Sequence, residues 1–294
     1  MSPAEYKIQF IDSWEPTPLI QIEGIWFKRE DFNPTGSIKS RGLTWQIYYL
    51  FKDNVKTAVI SSSGNAAIAA SYYAKQTGIK IISFVPISIP IDKLNRLKEN
   101  CDDVIITEKV SDKAVEYAKE HNLPLIRQSL DPHAREGFKF LALEINNQLI
   151  SENIIFNDCS IIFPVSSGTT VSGFFQGIKE NSIPVPQIHI AQTEAVNLIA
   201  NRFDQQFTPM ARSLVKGIVA TKKDNTYYED VVKLVNETNG WGWIVTDDQI
   251  GKANDWLLNH KVRSSLEGAL ALAALWKAQS HNFKLKKNLL VVLT

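Results

Sequence analysis

The sequence predicts an α/β protein of the doubly wound kind. Short, continuous apolar runs rich in β-branched residues alternate with longer segments of helical pattern, and polar turns join them. Continuous apolar runs separated by helices are typical of parallel strands that helices cover on both faces. Hydrophobic residues make up 44% of the 294 residues and charged residues 21%, which are ordinary values for a globular protein with a sizeable core.

Six strands and four helices can be placed along the chain. Helices are predicted at 65–76, from about Ser111, up to about Lys179, and after Thr246. Thr246 with Gln249 three residues on forms a capping box, and an apolar stripe follows it. The strands are predicted at 57–61, 79–85, 103–107, 160–165, 187–193 and 288–294.

Composition excludes several classes of protein. Lys and Arg total 32 and Asp and Glu total 31, a net charge of +1 that gives no reason to expect a nucleic-acid partner. Two cysteines exclude a disulfide framework, and five scattered histidines show no metal-ligand spacing, so no metal is predicted. The first residues lack the features of a signal peptide, and the longest small-and-apolar run, 268–276, is too short for a membrane span. We therefore expect a soluble, cytoplasmic protein without a membrane partner.

The first of three polar segments is 33–42, NPTGSIKSRG. Asn-Pro and Gly36 predict a turn, and Thr35 or Ser37 is the candidate cap of a helix with Lys39 in its first turn. The positive end of a helix dipole disfavours a protonated lysine, and an easily deprotonated amine is what Schiff-base chemistry needs. By itself, however, the segment is explained more simply by a solvated surface lysine.

The second segment is 61–67, SSSGNAA, which follows a predicted strand and opens a helix. Hydroxyls and backbone N–H groups at a helix start suit a carboxylate or a phosphate. An ordinary capping turn explains this segment equally well.

The third segment, 164–173, reads PVSSGTTVSG and again joins a strand to a helix. Its hydroxyls and Gly168 favour phosphate binding at the helix start. Phe174 stands where a Walker loop has its lysine, and the GxGxxG fingerprint of nicotinamide-binding proteins is absent. The loop alone does not identify the phosphate.

In this order, the three segments resemble the fold type II family of pyridoxal-phosphate enzymes. That family includes threonine synthases, serine/threonine dehydratases, cysteine synthases and tryptophan synthase β chains. The segments resemble, in turn, the approach to the family's Schiff-base lysine, its asparagine loop and its phosphate loop. Further matches, which extend the likeness to almost the whole chain, are TPL at 17–19, FKRED at 27–31, DP at 131–132, EGFK at 136–139, LEI at 143–145 and EGALALAAL at 267–275.

The resemblance implies pyridoxal 5′-phosphate (PLP) as the cofactor and gives matched residues their roles. Lys39 would hold the cofactor as an imine and shuttle protons at the substrate α-carbon. Asn65 would bind the 3′-oxygen of the pyridine. Ser62, Ser63, Gly64 and Arg135 would bind the substrate, and Ser166, Ser167, Gly168, Thr169 and Thr170 would cradle the cofactor phosphate.

Thr294 would face the pyridine nitrogen, where the family has a Ser or Thr after its last strand. A neutral hydroxyl does not keep that nitrogen protonated as a carboxylate would, which suits elimination and replacement better than transamination. The resemblance also implies two doubly wound open-sheet domains. The large cofactor-binding domain would comprise residues 1–44 and 142–294, the small substrate-side domain residues 45–141, and a homodimer is the habit of the family.

The expected function is PLP-dependent β- or γ-elimination or replacement on a small amino acid, in the manner of a threonine synthase. NPTGSIK and SSGNAA resemble threonine synthases most, whereas KRED and the DP near Asp131 also occur in dehydratases. Threonine synthases bind the phosphate of O-phosphohomoserine with an arginine at the place that Ala134 occupies here, and Arg135 is one residue further on. Serine/threonine dehydratase activity, cysteine synthase-like activity and PLP binding without turnover are the alternatives, and a nicotinamide-binding Rossmann protein is disfavoured.

Overall fold

A computed structural model describes residues 1–62, 64–220 and 227–294. The chain divides into two compact units, unit 1 with Met1–Pro16 and Asn33–Gly137, and unit 2 with Thr17–Phe32 and Phe138–Thr294. This division differs from the predicted boundaries at 1–16, 33–44 and 138–141. The core of unit 1 contains Tyr6 and Ile11 from the first of these segments, and Leu43 and Ile47 from the helix that begins at Lys39. The roles assigned to the two domains stay a prediction.

The described residues form ten strands and ten α-helices. The strands are β1 (Leu19–Ile22), β2 (Ile25–Arg29), β3 (Thr57–Ser61), β4 (Lys80–Pro86), β5 (Asp103–Thr107), β6 (Leu125–Ile126), β7 (Cys159–Pro164), β8 (Gln187–Thr193), β9 (Gly242–Val245) and β10 (Asn288–Leu293). The helices are α1 (Pro3–Lys7), α2 (Lys39–Lys52), α3 (Asn65–Lys75), α4 (Ile91–Lys98), α5 (Val110–Glu120), α6 (Ala134–Ser151), α7 (Thr169–Glu180), α8 (Tyr228–Glu237), α9 (Asp247–Asn259) and α10 (Leu266–Ser280).

Unit 1 is built around a parallel four-stranded sheet in the order β5-β4-β3-β6. From β3 the chain moves outward to β4 and β5, and then returns to pair β6 with the other side of β3. The strand order therefore reverses beside β3, and such a switch point is where open α/β sheets bind ligands. The segment that leaves the carboxyl end of β3 begins with Ser62 and leads into α3 at Asn65.

Unit 2 is built around a six-stranded sheet in the order β1-β2-β10-β7-β8-β9, parallel except for β1. From β7 the chain runs to one side through β8 and β9, whereas β10 pairs with the other side of β7. The switch point of this sheet thus lies between β7 and β10. Helix α10 is buried along most of its length, which explains its nearly continuous apolar run. No helix in the described part of the chain is long and apolar enough to cross a membrane.

The structure confirms the six predicted strands, with ends that shift by one residue at most, and the four predicted helices. The predicted capping box is confirmed as well, because the Thr246 side chain accepts from the Gln249 N–H and Gln249 bonds back to the Thr246 N–H. Strands β1, β2, β6 and β9 were not predicted. Trp241 and Trp243, which flank Gly242, pack with Phe283.

Candidate active site

Lys39 is the first residue of α2 and is partly buried. The turn before it is closed by a 2.7 Å hydrogen bond from the Gly36 N–H to the Asn33 carbonyl, with Gly36 at a φ of +74°. The prediction that Thr35 or Ser37 caps this helix is wrong. Ile38 precedes the helix in a helical conformation, and the Thr35 hydroxyl lies 2.6 Å from the Ser40 hydroxyl instead.

The first turn of α6 packs closely against α2. A Cβ atom on Gly137 would lie 1.9 Å from the Arg41 carbonyl oxygen, so the two helices approach at a distance that only glycine permits. The Gln46 amide also donates to Asp131, over 2.8 Å. Asp131 and Gly137 entered the sequence analysis only as family matches, and the structure gives both a physical role in holding the helix that carries Lys39.

The loop between β3 and α3 is organised by Ser62. Its hydroxyl oxygen accepts the Gly64 N–H over 3.0 Å and the Ala67 N–H over 3.2 Å, which satisfies a donor in the first turn of α3. The O–H proton is then left to donate, because a hydroxyl has one donor and two acceptor positions. Asn65 begins α3 and is partly exposed, and Gly64 has a φ of +139°. The predicted substrate residue Ser63 lies outside the described residues.

Helix α4 places two cations against these two loops, which the sequence analysis missed. The Arg96 guanidinium donates to the Thr35 carbonyl over 2.9 Å, and a Cβ on Gly36 would lie 3.3 Å from the same guanidinium nitrogen. The Lys93 side chain lies over the second loop, with its Cδ 3.0 Å from the place of a Cβ on Gly64. Neither residue stood out in the sequence, because the approach depends on how α4 packs.

Arg135 lies in the first turn of α6 and is partly buried. Ala134, which occupies the place of the phosphate-binding arginine of threonine synthases, is fully buried. The preceding turn is closed by a 3.2 Å bond from the Arg135 N–H to the Pro132 carbonyl. A ligand could therefore reach the side chain at 135 but not the one at 134.

The predicted phosphate loop leaves β7 and enters α7 in unit 2. Gly168 adopts the left-handed conformation, with a φ of +86°, and α7 begins with Thr169 and Thr170. The Ser167 and Thr169 hydroxyls are 2.9 Å apart. Because the first N–H groups of a helix have no acceptor within it and its dipole is positive there, this start of α7 suits an anion.

Ser166 ties this loop to an irregular segment that we call the strap, residues 213–220. The Ser166 hydroxyl oxygen accepts the N–H groups of Val219 and Ala220, each over 3.1 Å. The strap is held at a second point by Glu267, which accepts the Gly217 N–H over 2.6 Å. As in the case of Ser62, the O–H of Ser166 remains as a donor.

Thr294 follows β10 and is buried. Its backbone oxygen accepts the Ser265 N–H over 3.1 Å and also the Ser265 hydroxyl, which in turn accepts the Gly268 N–H at the start of α10. Because β10 pairs with β7 in parallel, Thr294 and the phosphate loop emerge at the same edge of the sheet of unit 2. Ser265 was missed, although a serine three residues before Gly268 is a signal for a helix cap.

The FKRED motif supplies a buried polar network in unit 2. The fully buried Lys28 ammonium binds the Glu144 carboxylate and donates to the Thr17 carbonyl over 2.6 Å and to the Gln148 side chain over 2.8 Å. The Thr17 hydroxyl donates to the buried Glu30 over 2.7 Å. These bonds join the TPL and FKRED motifs to α6, so this part of the resemblance has a structural basis.

Burial also shifts the pKa values of two side chains near the middle of the larger sheet. His189 on β8 is fully buried beside Trp243, and desolvation lowers its pKa from 6.5 to about 3, so the imidazole is neutral at pH 7. Burial raises the pKa of the Cys159 thiol to about 12, which makes it a poor nucleophile. Among the described residues, no group of three or more His, Cys, Asp and Glu side chains is arranged to hold a metal ion.

These residues fit PLP in kind. A partly buried lysine begins one helix, a loop with serine donors and an asparagine begins another, and a third helix start carries hydroxyls suited to a phosphate dianion. A family model described as pyridoxal-phosphate dependent enzyme matches residues 11–294. The chain belongs to this family. The match confirms the predicted family, fold class and cofactor.

Two relatives agree with this assignment. The chain is 27% identical over 258 residues to the L-threonine ammonia-lyase of Thermotoga maritima, a match that covers 85% of this chain and 62% of that protein. It is 26% identical over 264 residues to the threonine synthase of Methanocaldococcus jannaschii, with 80% and 60% covered. The chain therefore matches about three fifths of the length of each relative.

The fold is also that of a solved relative. The crystal structure of a T.th. threonine deaminase superimposes with a TM-score of 0.77 at 20% identity, covering 99% of this chain and 95% of that one. An identity this low shows the fold alone. The roles of the individual site residues therefore rest on the motifs and on the geometry above.

Proposed function

We propose that this chain catalyses PLP-dependent elimination or replacement at the β- or γ-carbon of a small amino acid. The observation that carries the proposal is the position of the polar loops. In unit 2, the 166–170 loop and Thr294 follow adjacent parallel strands at the switch point of the sheet. In unit 1, the loop with Ser62 and Asn65 leaves β3 at the switch point of the other sheet.

Each matched residue would then act on one part of the cofactor or the substrate. PLP, when bound, withdraws electrons from the substrate α-carbon. Lys39 would bind the cofactor covalently and would accept and return the α-proton through its Nζ. Asn65 would bind the 3′-oxygen, and the hydroxyl of Thr294 would lie at the pyridine nitrogen.

The serines of both loops support this assignment through their hydrogen-bond pattern. Ser62 and Ser166 each accept two backbone N–H groups and so have an O–H left to donate. Ser62 would donate to the substrate carboxylate, together with Ser63 and the backbone at Gly64. Ser166 would donate to the cofactor phosphate, which Ser167, Gly168, Thr169 and Thr170 would surround.

Two reaction types are candidates, and the relatives represent both. Threonine synthase-like chemistry is favoured by the NPTGSIK and SSGNAA motifs. Ammonia-lyase chemistry is favoured by Ala134, because its burial leaves the place of the phosphate-binding arginine without a ligand-binding side chain. Arg135 would then be the residue that faces the substrate side chain. We further propose a cytoplasmic homodimer that does not bind nucleic acid.

The covalent assignment is tested by cofactor trapping. The parent protein, loaded with PLP, is expected to absorb near 410–430 nm and to give a borohydride-stable adduct at Lys39, whereas Lys39→Ala gives neither. An adduct on another lysine of the variant would contradict the role of Lys39.

The reaction type is tested with a panel of amino acids. Release of ammonia and an oxoacid from L-threonine or L-serine identifies a lyase, and release of phosphate from O-phosphohomoserine identifies a synthase. Stoichiometric accumulation of pyridoxamine phosphate would contradict the neutral pyridine site proposed for Thr294. If no amino acid shifts the absorbance of the loaded protein, the chain binds PLP without turnover.

A further inference from the structure

Helix α4 in unit 1 carries Lys93 and Arg96 three residues apart, on the same side of the helix. Leu94 and Leu97 on the neighbouring face are buried in the unit and fix the rotation of the helix about its axis. Both side chains therefore lie on the flank of α4 that faces the two polar loops, with Lys93 partly buried and Arg96 exposed.

Each of the two side chains lies against the glycine of one loop, Arg96 with its guanidinium and Lys93 with its aliphatic stem. Arg96 donates to the Thr35 carbonyl, and its two terminal nitrogens lie 3.3 and 3.6 Å from the place of a Cβ on Gly36. The stem of Lys93 lies 3.0 Å from the place of a Cβ on Gly64. A side chain at either glycine would displace one of these cations, so the loops and α4 are fitted to each other.

Neither cation has an anionic partner in the described part of the chain. The ion pairs found there join other residues, and the single side-chain hydrogen bond of Arg96 goes to a neutral carbonyl. Lys93 is only partly exposed. Two cationic side chains three residues apart on one helix, without a counter-ion, attract an anion to the surface between them.

We propose that Lys93 and Arg96 form a subsite for an anionic group on the side chain of the amino-acid substrate. This inference rests on the proposed function, in which the Ser62 loop takes the α-carboxylate and thereby brings the substrate to the same two loops. The substrate class is then an amino acid with a phosphate or a second carboxylate, rather than plain serine or threonine. The anion would bind to the Lys93 ammonium and to the guanidinium N–H groups of Arg96 that Thr35 does not use.

The experiment compares matched ligands on the PLP-loaded protein. Titrations that follow the cofactor absorbance give the dissociation constants of O-phospho-L-serine against L-serine and of L-aspartate against L-asparagine. The parent protein is expected to prefer the anionic member of at least one pair by tenfold or more, and the pair that shows the preference identifies the anion. Lys93→Gln should lower this preference about tenfold, since a charge-assisted hydrogen bond is lost.

Two further variants separate anion binding from an effect on the loop. Lys98→Gln removes an exposed charge from the other flank of α4 and should leave the preference unchanged. Arg96→Gln should weaken binding of the anionic member of a pair more than binding of the neutral member, so that the ratio of the two dissociation constants falls. An equal loss for both members of a pair, no preference in the parent, or an unchanged preference in Lys93→Gln would overturn the proposal.

Calorimetric titration with inorganic phosphate provides a readout that needs no bound amino acid. Phosphate is expected to bind the PLP-loaded parent and Lys98→Gln equally, and Lys93→Gln about tenfold more weakly. If the parent forms no imine band at all, the proposed function fails, whereas a weaker phosphate affinity of Lys93→Gln than of the parent still shows that α4 binds an anion, because the 166–170 loop is the same in both proteins. Equal phosphate binding by all three proteins would refute the subsite.

Discussion

Replacing Gly137 by alanine tests whether the contact between α2 and α6 holds the helix that carries Lys39. The added Cβ would lie 1.9 Å from the Arg41 carbonyl oxygen and 2.4 Å from its carbon, whereas real Cβ contacts stay beyond 3.0 Å. The two backbones must therefore separate by about 1 Å, and no flexible side-chain end is available to yield instead.

The expected result is a loss of stability. A forced backbone shift in a packed region costs about 3 kcal/mol, at the upper end of the usual range for overpacking. Alanine in a helix gains roughly 1 kcal/mol over glycine. We therefore expect Gly137→Ala to lower the free energy of unfolding by about 2 kcal/mol, estimated from these two opposing effects.

Urea unfolding followed by far-UV circular dichroism measures this loss as a lower midpoint at an unchanged slope. Gly251→Ala is the matched control, because Gly251 also lies inside a helix, α9, but a Cβ there would meet no atom within 4 Å. That variant should be more stable than the parent by about 0.5–1 kcal/mol. A Gly137→Ala protein as stable as the Gly251→Ala protein would refute the reasoning.

Three further predictions concern the phosphate loop, a buried histidine and a buried lysine. Replacing Thr169 and Thr170 together by valine should weaken PLP binding at least tenfold, which is about 1.4 kcal/mol, because the start of α7 loses two hydroxyl donors. Equilibrium dialysis measures this affinity, and an unchanged value would show that the phosphate binds elsewhere. His189 is neutral in the folded protein with a pKa of about 3 and takes up a proton near 6.5 when unfolded, so its contribution to stability is present above pH 6.5 and is lost as the pH falls toward 3. His189→Gln should therefore flatten the fall of the urea midpoint over that pH range, and an equally steep fall would exclude His189 as a cause. Lys28→Met removes the buried ammonium that binds the Glu144 carboxylate and should cost about 3–5 kcal/mol in the same unfolding assay. Lys113→Met, which breaks an exposed ion pair, should barely move the midpoint. Equal effects would show that the buried pair is not a determinant of stability.

The strands that could be predicted were those with continuous apolar runs. Two of the strands that were not predicted have sequences that hide them. Strand β2 contains Lys28 and Arg29, which no strand pattern expects in a buried position. Lys28 is tolerated there because Glu144, 116 residues further along the chain, lies next to it in the fold, and because the Thr17 carbonyl and Gln148 also accept its N–H groups. Strand β6 is two residues long and has too little sequence to show a period.

In the candidate site, too, some features could be predicted from local sequence and others could not. The place of Lys39 at a helix start, the polar loops after β3 and β7, and the cap at Thr246 could be predicted because neighbouring residues in the chain determine them. The cap at Thr35 or Ser37 was predicted wrongly, because the local pattern does not reveal the bond that Thr35 makes with Ser40. The roles of the site residues came from the resemblance to a family and stay a prediction.

By itself the sequence determined the fold class, the order of the main strands and the kinds of chemical group available in each loop. The tertiary structure determined which groups from distant parts of the chain contact these loops. Arg96 reaches Thr35 across 61 residues, and Ser265 holds the backbone of Thr294 across 29. The physical reason is that turns, caps and periodicity depend on residues a few positions apart, whereas a close approach at a glycine or an ion pair exists only after the elements have packed.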